Sequence, residues 1–109
     1  MDTVARIQGL LTDHPVLLFM KGTRFRPQCG FSMRAVNVLA HLGVAYETVN
    51  ILEDDELRQG VKDFSNWPTF PQLYVDGQLI GGSDIILEMY ERGDLETLLA
   101  NHPKDNVQG

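Results

Sequence analysis

Val16-Leu17-Leu18-Phe19-Met20 is a run of five apolar residues, closed in front by His14-Pro15 and behind by Lys21-Gly22. So short a run between turn signals fits a strand of a sheet that is covered on both faces. Residues 22–28 then read as a loop. From about Cys29, the residues Phe31, Ala35, Val38, Leu39 and Leu42 recur at helical spacing, and Gly43 closes that helix in the left-handed conformation. Strand, loop and helix, with a cysteine at the helix start, fix the frame for the rest of the chain.

Working outward, Thr3 is the expected N-cap of a first helix carrying Val4, Ile7, Leu10 and Leu11, which ends before Pro15. Residues Val44 to Ile51 have the β-branched and aromatic content of a second strand. The acidic stretch Glu53-Asp54-Asp55 opens a further helix with Leu57, Val61 and Phe64 on one face. Leu73-Tyr74-Val75, Asp76-Gly77 and Leu79-Ile80 form a hairpin signal, since Asp-Gly suits a type I′ turn. Ser83 or Asp84 is expected to cap a helix over 85–91, and a short last helix is expected over 95–100. The segment from Pro103 to Gly109 reads as a flexible polar tail. A βαβ unit followed by a hairpin predicts an α/β protein with a thioredoxin-like fold, a four-stranded mixed sheet flanked by helices. Residues 1–109 read as a single domain with its core at about 4–99.

The 109 residues carry nine Lys and Arg against fifteen Asp and Glu, a net charge of -6, which disfavours nucleic acid and anionic lipid as partners. No stretch is long and apolar enough to cross a membrane, and no signal-type apolar segment opens the chain. A single cysteine excludes an intramolecular disulfide. These features point to a reducing, cytoplasmic setting, and an organellar protein trimmed of a transit peptide would read the same way. The charge is uneven. From His14 to Tyr46 there is no acidic residue, while Lys21, Arg24, Arg26 and Arg34 are basic. Cys29 lies within this stretch, where positive surroundings and a helix N-terminus both favour a thiolate. His14, His41 and His102 show no ligand spacing with each other or with Cys29, which argues against an all-protein zinc site. Trp67 reads as core or pocket wall.

Three separate motifs carry a resemblance. Lys21-Gly22-Thr23 with Pro27-Gln28-Cys29-Gly30-Phe31-Ser32, then Trp67-Pro68-Thr69-Phe70-Pro71-Gln72, then Gly81-Gly82-Ser83-Asp84-Ile85 resemble the monothiol glutaredoxins of the Cys-Gly-Phe-Ser class over about Val4 to Leu99. Ser32 stands where dithiol relatives have a second cysteine, so exchange within a Cys-x-x-Cys pair is unavailable. The resemblance implies a glutathione site in which Lys21 and Arg58 contact the glycine carboxylate. Phe70, before a cis Pro71, offers its backbone to the cysteinyl part, and Gly82, Ser83 and Asp84 receive the γ-glutamyl end. Two departures stand out: Arg24 and Arg26 occupy a loop with few charges in the family, and Ser83 stands where many members have a cysteine.

The function the resemblance implies is glutathione-dependent binding and transfer of a [2Fe–2S] cluster. Such a cluster takes four thiolate ligands, and each chain has one. Cys29 from each of two chains and two glutathiones complete the set, giving a cluster-bridged homodimer. Implied partners are BolA-like proteins and apo iron–sulfur acceptors. An alternative is a glutathione-dependent oxidoreductase in which Cys29 reduces glutathione mixed disulfides, and a third reading is a regulatory module that senses iron status.

Overall fold

The computed structural model describes residues 2–105. The elements run α1 (Thr3–Asp13), β1 (Val16–Met20), β2 (Gly22–Thr23), β3 (Arg26–Pro27), α2 (Gly30–Leu42), β4 (Glu47–Asn50), α3 (Asp55–Ser65), β5 (Gln72–Val75), β6 (Gln78–Gly81), α4 (Ser83–Arg92) and α5 (Asp94–Leu98). The main sheet has the order β4-β1-β5-β6. β1 and β4 are parallel, whereas β5 is antiparallel to β1 and to β6. This is the thioredoxin-like mixed sheet expected from the sequence.

The apolar run of β1 is buried along its whole length because its side chains alternate between two cores. Val16, Leu18 and Met20, with Leu73 and Val75, pack under Ala35, Val38 and Leu39 of α2, Ile86 of α4 and Leu95 of α5. Leu17, Phe19 and Tyr74 pack on the other face under Ile7 and Leu11 of α1, Leu57 and Val61 of α3, and Phe70. Phe19 and Tyr74 meet edge to face at 5.6 Å. Burying each Leu or Phe here is worth roughly 1.5–3 kcal/mol, which makes this alternation the main determinant of the layering.

The turn chemistry holds where it was legible. Gly43 ends α2 in the left-handed region, and Asp76 and Gly77 turn the β5–β6 hairpin at φ 51° and 81°. Several boundaries differ from expectation. Asp2, not Thr3, caps α1 by accepting from the Ala5 N–H at 2.7 Å. α4 begins at Ser83 with Gly82 as its N-cap, so neither Ser83 nor Asp84 caps it. The loop at 22–28 contains a small antiparallel ribbon, Gly22 opposite Pro27 and Thr23 opposite Arg26. The second strand is confined to Glu47–Asn50, because Val44 and Ala45 pair with the C-terminal segment and Ile51 enters a 3-10 turn capped by Asn50. That segment was expected to be frayed. Instead, the Ala45 N–H donates to the Pro103 carbonyl at 2.9 Å and the Asp105 N–H to the Gly43 carbonyl at 2.8 Å, while 106–109 lie outside the described residues. Phe64 was expected on the buried face of α3 and is exposed. There it lines an open cleft with Leu11 and Thr12 of α1 and the Asp76-Gly77 turn.

Candidate functional site

Cys29 is the N-cap of α2, extended at φ -154° and ψ 137°, and its side chain makes no capping hydrogen bond. The residue is part-exposed. Its thiol is held below the ordinary value, first by the Ser32 N–H and then by the Phe31 N–H and the Lys21 charge, with the Ser32 hydroxyl adding to these; partial burial opposes them. An open helix N-terminus stabilises a thiolate in just this way.

The surrounding segments are fixed by the buried side chains of Ser32 and Gln72 and the half-buried one of Asn50. Ser32 is fully buried, and its Oγ accepts the Lys21 N–H at 3.1 Å. The Gln28 N–H donates to the Lys21 carbonyl at 2.9 Å, and Asn50 Oδ1 accepts the Gly22 N–H at 2.9 Å. Gly22 has φ 91°, and a Cβ there would lie 2.6 Å from the Arg26 carbonyl oxygen and the Gln28 nitrogen, so only glycine fits this corner. Across from it, the Phe70-Pro71 peptide is cis, as the motif implied. Gln72, fully buried, donates from Nε2 to the carbonyls of Trp67 at 3.0 Å and Thr69 at 3.2 Å. Its Oε1 accepts the Tyr74 hydroxyl at 3.2 Å. Gln72 and Asn50 therefore brace the two loops of the site. Sequence reasoning missed both; a buried amide amid the apolar residues of β5 was the available signal for Gln72.

These loops and the start of α4 enclose a pocket of about 320 Å³, lined by Lys21, Cys29, Trp67, Phe70, Ser83 and Asp84 among others. The structure thus brings together every expected site residue except Arg58. The Arg58 guanidinium lies outside the lining, 3.9 Å from Asp55 on its own helix. Trp67 is pocket wall, one of the two roles expected for it. A second, larger groove of about 670 Å³ runs from Cys29 along α2 to α4, with Met33, Val38, Leu87 and Tyr90 in its walls. The basic stretch around the thiol is only partly directed at it. Arg24 stacks over Tyr46 at 4.1 Å, donates to the Tyr46 carbonyl and lies 4.0 Å from Glu47, so its charge serves the β4 side. Arg34 sits 3.9 Å from Asp84. Lys21 is the basic residue that lines the pocket.

Among the described residues no group of three or more His, Cys, Asp or Glu is placed to hold a metal ion, and no helix is long and apolar enough to cross a membrane. A single thiol held below its ordinary value, an adjoining cation and an open helix end lie together here, and Ser32 offers no sulfur for an internal second step.

The glutaredoxin family model matches residues 16–80. A monothiol glutaredoxin of Synechocystis, described as ycf64-like and uncharacterized, is 52% identical over 98 residues, covering 90% of this chain and 92% of the relative. Glutaredoxin 4 of Pasteurella multocida is 48% identical over 101 residues, covering 93% of each. Among solved structures, reduced apo GrxS14 of poplar superposes with a TM-score of 0.79 at 49% identity, covering 89% of both chains. With one cysteine at the α2 N-cap and serine three residues on, this chain belongs to the glutaredoxin family, as a monothiol member of it.

Proposed function

We propose that this protein binds and transfers [2Fe–2S] clusters with glutathione as co-ligand. The observation that carries the reading is the ligand arithmetic at Cys29: one thiol per chain, held below its ordinary value by the Ser32 N–H, beside a pocket suited to a small thiol. As cargo, the cluster needs four thiolates. Two copies of Cys29 supply two, and two glutathiones the rest, so the cluster bridges a homodimer. The chain's own residues hold the glutathione. Lys21 and Arg58 take the glycine carboxylate, with Arg58 turning from Asp55 to reach it. The Phe70 backbone, which lies just before the β5 ladder begins at Gln72, pairs with the cysteinyl residue as an added strand would. Gly82 and Ser83 present the open end of α4 to the γ-glutamyl carboxylate, and Asp84 faces its ammonium. Partners that go with this role are a BolA-like protein exchanging one ligand and apo acceptor proteins.

The lowered thiol also supports a second reading, a glutathione-dependent reductase of mixed disulfides in which Cys29 attacks and a second glutathione resolves the adduct. Anaerobic reconstitution with iron and sulfide, with and without glutathione, separates the two. The first reading expects visible absorption only with glutathione, with two chains and two glutathiones per cluster by sizing and thiol analysis. A fully occupied cluster on a monomer, or assembly without a small thiol, contradicts it. Rapid turnover of glutathione mixed disulfides with no coloured species replaces it with the second.

A further inference from the structure

The stretch between Lys21 and Cys29 is a ribbon of two short strands, β2 and β3, so those two site residues are its stems. A two-stranded ribbon is marginal by itself, and its place depends on what ties it to the rest of the fold. The Lys21 stem is tied by Asn50, whose Oδ1 accepts the Gly22 N–H at 2.9 Å, and by Ser32, whose Oγ accepts the Lys21 N–H at 3.1 Å. At the tip, Phe25 is 91% exposed. Arg24 beside it turns back onto the start of β4, and its side chain is only 23% exposed. Its guanidinium carbon lies 4.1 Å from the centre of the Tyr46 ring, Nη2 donates to the Tyr46 carbonyl, and Glu47 is 4.0 Å away.

Tyr46 is a firm anchor. Its ring packs against the core under α2, and the neighbouring Ala45 N–H is held by the Pro103 carbonyl. The ribbon is therefore held to both ends of β4, at Asn50 by its stem and at Tyr46 by its tip. A planar guanidinium that stacks on a ring while donating to the carbonyl of the same residue has a fixed geometry that a lysine does not reproduce. We propose that the Arg24–Tyr46 stack is a clamp that positions the ribbon, and with it Lys21 and Cys29, for a small-thiol ligand. Arg24 is a positioning residue: it lies outside the pocket lining and acts on the site through the backbone it holds. Resting on the glutathione reading, the clamp lowers the ordering cost of binding by fixing the spacing of Lys21 and Cys29 in advance. It also gives a role to a basic residue that departs from the family pattern.

The test compares variants of the apo-protein by glutathione calorimetry and by the pH midpoint of Cys29 alkylation. Arg24→Ala should weaken glutathione about three- to tenfold and raise the midpoint. Tyr46→Leu keeps an apolar side chain on the core and keeps the Arg24 charge, but offers no ring face. It should move both readouts the same way by a smaller amount, and the double variant should be no worse than Arg24→Ala alone. Arg24→Lys should recover part of the affinity. Salt separates positioning from charge, because screening removes a through-space effect and does not restore a lost clamp. Tyr46→Leu behaving like the parent, or an Arg24→Ala loss relative to the parent that vanishes at high salt, overturns the clamp and leaves the glutathione reading intact. If the parent binds no glutathione, that reading fails, and the clamp stands or falls on the alkylation midpoints of the two single variants.

Discussion

The helices of this protein begin in two ways. α1 and α3 are closed by their own chain: Asp2 accepts from the Ala5 N–H at 2.7 Å, and Asp54 accepts from the Leu57 N–H at 2.9 Å. Asp54 is further tied to Arg6 at 2.6 Å, and its carboxyl is held below the usual range, first by the Leu57 N–H and then by Arg6. α2 and α4 have no side-chain cap, being preceded by Cys29 and Gly82. Both open ends border one pocket. A side-chain oxygen at either place would stabilise the helix and occupy the N–H groups that a thiolate or a ligand carboxylate needs. The contrast teaches that both helices opening on the pocket are left uncapped, whereas the short α5, behind Gly93, is uncapped away from it.

The largest effect should come from closing α2. Cys29 already has the extended backbone of an N-cap, and serine is a preferred capping residue. Cys29→Ser should abolish thiol alkylation and cluster assembly while stabilising the fold by about 0.5–1 kcal/mol, raising Tm by roughly 2–8 °C. A thermal melt beside an alkylation assay checks both; a lowered Tm would break the comparison. Next, Arg58→Ala asks whether a cation outside the two open ends matters. Loss of a charge-assisted contact should cut glutathione affinity about ten- to a hundred-fold by titration. Melting should hardly change, since the half-exposed Arg58 side chain lies a loose 3.9 Å from Asp55.

A smaller effect concerns pH. The Cys29 value is depressed, chiefly by the Ser32 N–H, so alkylation should rise through a midpoint below the ~8.5 of a free thiol. In stability terms, a depressed folded value contributes above the unfolded-state value, and that contribution is lost as pH falls through the folded one. Lys21→Ala should shift the alkylation midpoint upward, and added salt should shrink the difference. The smallest change opens a closed end. Asp2→Ala should cost about 0.5–2 kcal/mol in a denaturant melt and leave glutathione affinity as it was.

How far the sequence revealed this arrangement follows from the range of the forces involved. The β1 run, the Asp76-Gly77 turn and the Gly43 stop depend on local pattern and were legible. So was the convergence of Cys29, Lys21, Phe70, Ser83 and Asp84, which the motifs implied. Caps were misplaced by one residue at α1 and α4, because Thr3 and Ser83 are good capping types and only backbone geometry decides between neighbours. Arg24 looked like an active-site cation because charge counting ignores direction, and Tyr46 draws it away. Asn50 was invisible because its partner Gly22 lies on a distant loop, found only when the chain is folded, whereas Gln72, bonded to the nearby Trp67 and Thr69, was signalled only by an amide amid the apolar residues of β5.

The central claim, that two uncapped helix ends form one site for an anionic thiol, is tested most directly by mapping backbone amide shifts as glutathione is titrated into the apo-protein. The account predicts saturable shifts of the amides of residues 30–32 and 83–85 with a common dissociation constant, while those of residues 3–5 and 55–57 stay fixed. Shifts confined to one of the open ends, or equal shifts at the capped starts of α1 and α3, would contradict it.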